Sequence, residues 1–399
     1  MAGILEGVRV LDLTVWQQGP YASLLLADLG ADVIHIEGPD APDPSRGLVA
    51  AAPNGLNHYV ESLNRGKRAI TLDLKDERGR EILHRLVGDA DVFVSNLRLR
   101  SLRRLGADYE TLVKHSPRLI YAHASGYGPQ GPDADLPSMD LLGQARGGIM
   151  AASADADGTP RGLPTGVADQ VGAISLAFGV MAALYHRERT REGQEVFASL
   201  LGSQMAIQAF QISAVLFDGP RGVPASRNPS WRPYRASDGR WFALAMIDDS
   251  FWPGVCAVLD RPEWLTDERR STLAARQANY EQVAAEMGAI FATRPAAHWV
   301  RLFSDADLLA APVSSWDDVA DDPQAAANGY VQSVAREDGG APVRVVGPPV
   351  IFGKTPARVR GFAPEFDQHT EEVLLEAGYD WPALEALRRA GVIGVRVAG

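Results

Sequence analysis

The chain has 399 residues, of which 46% are hydrophobic, and its formal net charge is −11. This length favours two domains, and the apolar content is sufficient for two cores. The charge disfavours binding to nucleic acid or anionic membranes, because the summed field repels polyanions. The single Cys256 excludes an internal disulfide. We expect a soluble, cytoplasmic protein, because no signal-peptide pattern and no run of about 18 apolar residues occur in the sequence.

The first half of the chain predicts alternating strands and helices, which is typical of a parallel, doubly wound α/β sheet. The predicted strands cover residues 8–13, 33–37, 69–74, 91–94, 119–125 and 194–200. The predicted helices cover residues 21–29, about 76–87, the segment after Asp169, and about 201–217.

A dinucleotide site is one function of such a sheet, and Glu37 follows the second strand, where a ribose-binding acid would lie. The loop after the first strand argues against it. This loop carries Trp16, Gln17 and Gln18 with only one glycine, instead of the Gly-x-Gly-x-x-Gly that lets a pyrophosphate approach the backbone. Residues 126–131 match that pattern, but they include Pro129 and no helical pattern follows them.

The composition changes after residue 217, where residues 218–233 are rich in glycine and proline and predict a linker. We expect a large domain made of residues 1–220 and 325–399, and a small domain made of residues 225–324. The small domain is predicted to begin with a hairpin around Asp238-Gly239. A second hairpin is predicted over residues 331–346, followed by two helices between residues 368 and 390.

The segment from Gly162 to Arg187 places one acid, Asp169, before an apolar helix. Its apolar residues recur at helical spacing and predict a core-facing side: Val171, Ile174, Phe178, Met181 and Leu184. Asp169 is predicted at the N-cap, where aspartate ordinarily satisfies free backbone amides. A carboxylate there also stays ionised, because the helix dipole favours the anion. It could therefore act as a covalent nucleophile on an activated acyl group. Nearby N–H groups would then donate hydrogen bonds to the acyl oxygen as negative charge develops on it. The two interpretations are compatible.

Four arginines lie within seven residues, at positions 98, 100, 103 and 104. Such a run is usually a solvated helix face. In a protein of net charge −11, it is also a candidate for the local basic pocket that a phosphate ligand needs.

Taken together, the motifs resemble the family III CoA-transferases, the group that contains the carnitine-CoA and formyl-CoA transferases. The matching pieces follow the order of the family: Val8–Thr14, Gly19-Pro20, Leu26–Ile34 with Glu37, Asn64–Arg68, Leu72–Lys75, Ala90–Asn96, Ser125–Gly128, the Asp169 segment and Pro312-Val313. The resemblance implies a Rossmann-like large domain with a parallel sheet, a smaller inserted α+β domain and an interlocked homodimer. It implies that Asp169 is the catalytic aspartate, which carries CoA as a thioester between an acyl-CoA donor and a carboxylic acid acceptor.

By the same resemblance, no metal is required and no cofactor is permanently bound, because acyl-CoA is a substrate. CoA would be held by Gln17, Gln18, Leu72, Lys75, Asn96, Leu97, Arg98 and Arg104. An aspartate with a reference pKa near 3.9 would need no base to activate it at neutral pH.

The sequence departs from the family at three places. Leu97 stands where an aromatic residue is frequent, and Gly38 replaces a basic residue of some relatives. Residues 227–233 lack the Gly-rich loop of the formyl-CoA branch, so oxalate and formate are not expected as substrates. Three aromatic residues in the following segment favour larger acyl groups: Trp231, Tyr234 and Trp241.

The nearest alternative is an α-methylacyl-CoA racemase, which needs two proton-transferring groups on opposite sides of a carbon. Met139 lies where that branch has a histidine, and methionine cannot transfer a proton. The next residue, Asp140, is expected near the site. An acyl-CoA binding subunit without turnover, and lyase or hydratase variants of the fold, stay open.

Overall fold

The computed structural model describes residues 3–219, 227–336 and 338–394. Residues 220–226 of the predicted linker lie outside the described residues. The chain divides into two compact units, Met1–Ser213 with Ala326–Gly399, and Ala214–Ala325.

The main sheet lies in the first unit. Its strands are β1 (Arg9–Leu13), β2 (Asp32–Glu37), β3 (Arg68–Thr71), β4 (Val92–Ser95), β5 (Ile120–Ser125) and β6 (Gln194–Ser199). Across the described ranges these six strands pair in parallel in the order β3-β2-β1-β4-β5-β6. The predicted parallel α/β sheet is thus confirmed. The order reverses between β1 and β4, so the loops that follow these two strands border a crevice at the carboxyl edge of the sheet.

Helices of the first unit connect the strands of the main sheet and pack against it, and the second unit has helices of its own. In chain order they are α1 (Gln18–Asp28), α2 (His58–Asn64), α3 (Glu77–Gly88), α4 (Leu99–Leu105), α5 (Tyr109–Leu112), α6 (Asp140–Arg146), α7 (Ile149–Ala152), α8 (Val167–Thr190), α9 (Leu200–Ile207), α10 (Ala209–Asp218), α11 (Trp252–Val258), α12 (Leu273–Ala278), α13 (Tyr280–Phe291), α14 (Ala296–Asp305), α15 (Trp316–Ala320), α16 (Pro323–Ala327), α17 (Thr370–Glu376) and α18 (Trp381–Arg389). One core packs β1–β5 against α3, α17 and α18, and a second packs the sheet against α1 and α8.

The second unit has its own core and an antiparallel sheet of β7 (Trp231–Arg235), β8 (Trp241–Ala245) and β9 (Ala310–Pro312). The predicted hairpin around Asp238-Gly239 is therefore confirmed. Tyr234, which the sequence suggested for an acyl pocket, lies in this core, where its hydroxyl donates to the carbonyl of Pro229 (2.7 Å). In the first unit, β10 (Val331–Val334) and β11 (Val343–Val346) form the other predicted antiparallel pair.

Three predicted boundaries near the site were wrong. Helix α1 begins at Gln18 instead of Tyr21, so Gln18 belongs to its first turn. Strand β3 ends at Thr71, which leaves Leu72 in the loop that follows it. The helix predicted to reach about Phe217 is two helices, α9 and α10, with an 80° bend between them.

The side of α8 that was predicted to face the core was wrong at two of its five residues, because Leu184 is buried in the second core and Met181 packs against it, but Ile174 and Phe178 are exposed. Ile174 and Phe178 are 48% and 75% exposed, whereas Ala173 and Leu176 are fully buried under the sheet. The helix is apolar on most sides, and its small residues are the ones that allow close approach to the strands. By length and composition α8 could also cross a membrane, and one side of it packs in the second core of the first unit.

Candidate active site

Asp169 lies in the first turn of α8 and not at the N-cap, so the predicted capping role is wrong. The N-cap is Gly166, whose φ is 60°. The first amides of the helix are taken by Asp140, the first residue of α6: its Oδ1 accepts the N–H of Ala168 (2.7 Å) and of Asp169 (3.1 Å). Asp140 is itself fixed by the side-chain amide of Gln144 (2.6 Å). The Asp169 carboxylate has no hydrogen-bond partner among the described residues.

The protonation of Asp169 differs from the expectation for a carboxylate at a helix N-terminus. Burial, followed by the negative charge of Asp140, raises the pKa of Asp169 to about 7. The helix amides would stabilise the anion, but Asp140 already accepts their hydrogen bonds. The expectation of a fully ionised group at neutral pH was therefore wrong.

The two predicted glutamines, Gln17 and Gln18, meet α8 at two glycines. A Cβ on Gly166 would lie 2.6 Å from Gln17 Nε2, and a Cβ on Gly172 would lie 2.5 Å from Gln18 Nε2. Positions 166, 169 and 172 succeed one another at intervals of three residues, so they line one side of the helix start. The two amides therefore approach α8 on either side of the Asp169 position.

The orientation of the two amides is set by their partners. Gln17 Oε1 accepts a hydrogen bond from the hydroxyl of Tyr59 (3.3 Å), which leaves its NH₂ group toward α8. The amide nitrogen of Gln18 is buried and has no partner within the part of the chain that the structure describes. Burial, and then the negative charge of Asp169, raise the pKa of Tyr59 to about 12.

The other predicted CoA contacts line three cavities that share Leu97. A cavity of about 160 Å³ contains Asp169 with Gln18, Asn96, Leu97 and Arg98 among its lining residues. A second is lined by Asn96, Leu97, Arg98, Arg100, Ser101 and Arg104. A third lies against the loop after β2 and is lined in part by Leu72, Lys75 and Leu97.

The side chain of Asn96 binds the backbone of the loop after β1. Its amide spans Val15 in the loop after β1, accepting from the N–H (2.9 Å) and donating to the carbonyl (2.7 Å). Arg98 and Arg104 are exposed at the start and end of α4. Eight of the predicted site residues line these neighbouring cavities, namely Gln18, Leu72, Lys75, Asn96, Leu97, Arg98, Arg104 and Asp169, whereas Gln17 and Asp140 line none of the three.

One residue of the Asp169 cavity escaped the sequence analysis. His123, near the end of β5, is buried and lines this cavity. Its Nε2 lies 2.8 Å from the carbonyl of Leu97, which can only accept, so the proton is on Nε2. Nδ1 has no partner in the described ranges, and burial lowers the pKa of the ring. The signal was its position at the carboxyl end of a predicted parallel strand.

Known proteins resemble this chain over nearly its full length. The family model described as CoA-transferase family III matches residues 5–370. The succinyl-CoA:mesaconate CoA-transferase of Haloarcula hispanica is 34% identical, with 94% of this chain and 97% of that protein covered. The cinnamoyl-CoA:phenyllactate CoA-transferase of Clostridium sporogenes is 32% identical, with 98% of each chain covered. A crystal structure of a CAIB/BAIF family protein from Brucella suis superposes with a TM-score of 0.83 at 29% identity, covering 94% of this chain and 100% of the other.

Proposed function

The chain belongs to CoA-transferase family III, and on this premise we propose that Asp169 carries CoA as a thioester during transfer from an acyl-CoA to a carboxylic acid. The observation that carries the proposal is the environment of Asp169. Its carboxylate has no hydrogen-bond partner among the described residues, borders a cavity, and lies between two glutamine amides at the start of a helix.

The reaction balances with the two substrates alone. An Asp169 oxygen attacks the thioester carbonyl and the C–S bond breaks. CoA departs as a thiolate, and a mixed anhydride forms between Asp169 and the acyl group. The thiolate then attacks the Asp169 carbonyl, which releases the donor acid and forms aspartyl-CoA. The acceptor carboxylate attacks this thioester, giving a second anhydride and CoA thiolate. The thiolate finally attacks the acceptor's acyl carbon and frees Asp169.

The raised pKa of Asp169 serves this chemistry. Burial and the charge of Asp140 raise its pKa to about 7, so protonated and ionised forms are both present near neutral pH. The anion that forms has few favourable contacts, so it is a stronger nucleophile than a solvated carboxylate. The same poor solvation keeps water from the anhydride.

The developing charge on the acyl oxygen needs donors. The helix amides cannot supply them, because Asp140 already accepts from Ala168 and Asp169. We assign this role to the amide nitrogens of Gln17 and Gln18. Gln18 Nε2 is buried without a partner in the described residues, so it gains a hydrogen bond when an oxyanion forms.

The CoA molecule would follow the three cavities that share Leu97. Leu72, Lys75 and Leu97 would hold the nucleotide end in the cavity against the loop after β2. Arg98 and Arg104 would bind its phosphates, because one guanidinium group can donate two parallel hydrogen bonds to two phosphate oxygens. Asn96 would contribute through its backbone, since its side chain is bonded to Val15.

We further propose the domain division of residues 1–220 with 325–399 and residues 225–324, and an interlocked homodimer. Helix α8 exposes Ile174 and Phe178, and Phe210 of α10 is 76% exposed. Large apolar side chains that are exposed to this extent are typical of a surface that binds a partner protein. The family resemblance implies that this partner is a second copy of the chain.

The acyl group is proposed to be larger than formate. Two relatives act, by their names, on mesaconate and on phenyllactate with succinyl-CoA or cinnamoyl-CoA. The absence of a Gly-rich run in residues 227–233 supports the same conclusion.

A racemase stays a second candidate because of His123. Its free Nδ1 belongs to the same cavity as Asp169, so the cavity holds a second group that could accept a proton. Isomerisation would exchange the α-hydrogen of an acyl-CoA with deuterium from solvent and would leave no covalent adduct on the protein.

The deciding experiment incubates the protein with succinyl-, butyryl- and aromatic acyl-CoAs and then adds hydroxylamine. We expect a hydroxamate on Asp169 by peptide mass mapping, and new thioesters when carboxylic acids are added. Asp169→Asn should give neither, whereas the exposed control Asp305→Asn should behave as the unchanged protein. Deuterium exchange without a hydroxamate would instead establish the racemase.

A further inference from the structure

The loop between β1 and α1 contains a strained residue next to the two glutamines. Trp16 adopts a φ of 65°, a left-handed conformation that is unfavourable for a residue with a side chain. Such a conformation persists only where surrounding contacts impose it. The contacts that impose it therefore determine where Gln17 and Gln18 point.

Three consecutive residues of this loop are each held by a different polar side chain. The hydroxyl of Thr14 donates to Asp12, and the amide of Asn96 spans Val15. The N–H of Trp16 donates to Oδ1 of Asp43 (3.1 Å). Asp43 therefore contacts the strained residue directly.

Asp43 is rigidly placed. It is 2% exposed, and the same Oδ1 accepts the N–H of Ser45 (2.9 Å), which caps the short 3₁₀ helix Pro44–Gly47. Its own N–H donates to Oε1 of Glu37 at the end of β2 (2.8 Å). A contact chain thus runs from the carboxyl end of β2 to Trp16.

Glu37 is in turn fixed by a bidentate pair with Arg46, with Nε–Oε1 at 2.9 Å and Nη2–Oε2 at 2.7 Å. Arg46 also donates to the carbonyl of Pro364 (3.1 Å). Glu37 follows the second strand, where it could have indicated a ribose site, but its carboxylate is paired with an arginine of this chain.

We propose that Asp43 is a positioning residue for CoA transfer, which holds Trp16 in its left-handed conformation and thereby directs Gln17 and Gln18 at Asp169. Without this acceptor, Trp16 relaxes to a negative φ and the next peptide rotates, which moves Gln17 from Tyr59 and Gly166. This inference rests on the proposed function of Asp169.

The first test compares Asp43→Ala with Asp43→Asn, whose amide oxygen can still accept from Trp16. We expect Asp43→Ala to lower kcat by about 10- to 100-fold, because small misplacements of catalytic groups cost about this much. Asp43 lines the cavity with Leu72 and Lys75 but is only 2% exposed there. The KM for the CoA donor should therefore stay within about threefold, and Asp43→Asn should restore most of kcat.

The second test asks whether Asp43 acts through the two glutamines. In a background that carries both Gln17→Ala and Gln18→Ala, the further loss from Asp43→Ala should be under about threefold, since residues that act as a unit are not additive. The control is Asp28→Asn, another buried carboxylate, which pairs with Arg65. It should lower the unfolding midpoint and leave kcat unchanged. Full additivity, or an equal loss of kcat in Asp28→Asn, would overturn the proposal.

Hydrogen exchange separates this inference from the function on which it rests. Amides of residues 14–18 should exchange faster in Asp43→Ala than in the unchanged protein or in Asp28→Asn, whatever reaction the protein performs. Unchanged exchange there overturns the positioning role even if transfer is confirmed. Should Asp43→Ala not fold, Asp43→Ser replaces it, because the shorter hydroxyl can bond Ser45 but cannot reach Trp16.

Discussion

Two carboxylates near the loop after β1 have opposite environments. Asp12, at the end of β1, is fully buried and receives hydrogen bonds from Thr14, Ser23 (2.6 Å) and Lys67 (2.8 Å). Burial alone would raise its pKa, but the charges of Lys67 and of the neighbouring His35, together with hydrogen bonds from these two side chains, hold the pKa of Asp12 far below its usual range. Asp169 has no donor among the described residues, and its pKa is raised to about 7.

Under the proposed function, the contrast separates a structural carboxylate from a reactive one. Asp12 is stabilised as an anion by its donors, so it is a poor nucleophile and a strong link between β1, α1 and Lys67. Asp169, which is partly buried, lacks such contacts. The proposed function therefore rests on the missing hydrogen-bond partners of this carboxylate as much as on its burial.

The largest effect should come from Asp169→Asn. We expect CoA transfer to fall by roughly 10⁴-fold or more, because an amide is not an anionic nucleophile. The free energy of unfolding of the variant, by contrast, should be higher than that of the unchanged protein. The folded pKa of Asp169 is about 7, above that of an unfolded aspartate, so ionising the group costs folding free energy progressively from about pH 4 to pH 7. The urea midpoint of the variant should exceed that of the unchanged protein at pH 8, and by less at pH 5.

The same substitution at the structural carboxylate, Asp12→Asn, should have the opposite outcome. Lys67 would remain buried with its charge unpaired, and we expect a loss of about 3–5 kcal/mol in the free energy of unfolding. Because the folded pKa is depressed, the contribution of Asp12 is complete above about pH 5 and is lost progressively as the pH falls below the usual aspartate pKa toward the folded pKa. Urea unfolding at pH 7 and pH 3 measures this, and an equal loss at both would contradict the assignment.

The smallest effect should follow Asp140→Asn, which removes a negative charge next to Asp169. The amide oxygen can still accept from Ala168 and Asp169, so the start of α8 is kept. The charge that helps to raise the pKa of Asp169 is lost, so the acid limb of kcat/KM should move to lower pH. Activity at pH 6 relative to pH 8 should rise about two- to fivefold. A pH profile that does not move would assign the raised pKa to burial alone.

The fold followed from patterns that are local in the chain. Strand and helix alternation predicted the parallel sheet, and hairpin signals predicted β7–β8 and β10–β11, because side-chain periodicity and turn residues act over a few neighbouring positions. The boundaries at Gln18 and Thr71, and the exposed side of α8, could not be predicted in this way. An evenly apolar helix carries no periodic signal that identifies its buried side, and the small residues of α8 were selected by the space beneath the sheet.

The sequence by itself determined that Asp169 starts a helix in a chain resembling the CoA-transferases, and that Gln17, Gln18 and the arginines of α4 accompany it. Only the tertiary structure decided what each does. Asp140 from another helix takes the amides that Asp169 was expected to cap, Asn96 is bonded to Val15, and Asp43 holds Trp16. These contacts join residues 27 to 81 positions apart. The pKa of a carboxylate depends on every donor and charge that the fold brings to it, and those neighbours are not encoded in the adjacent sequence.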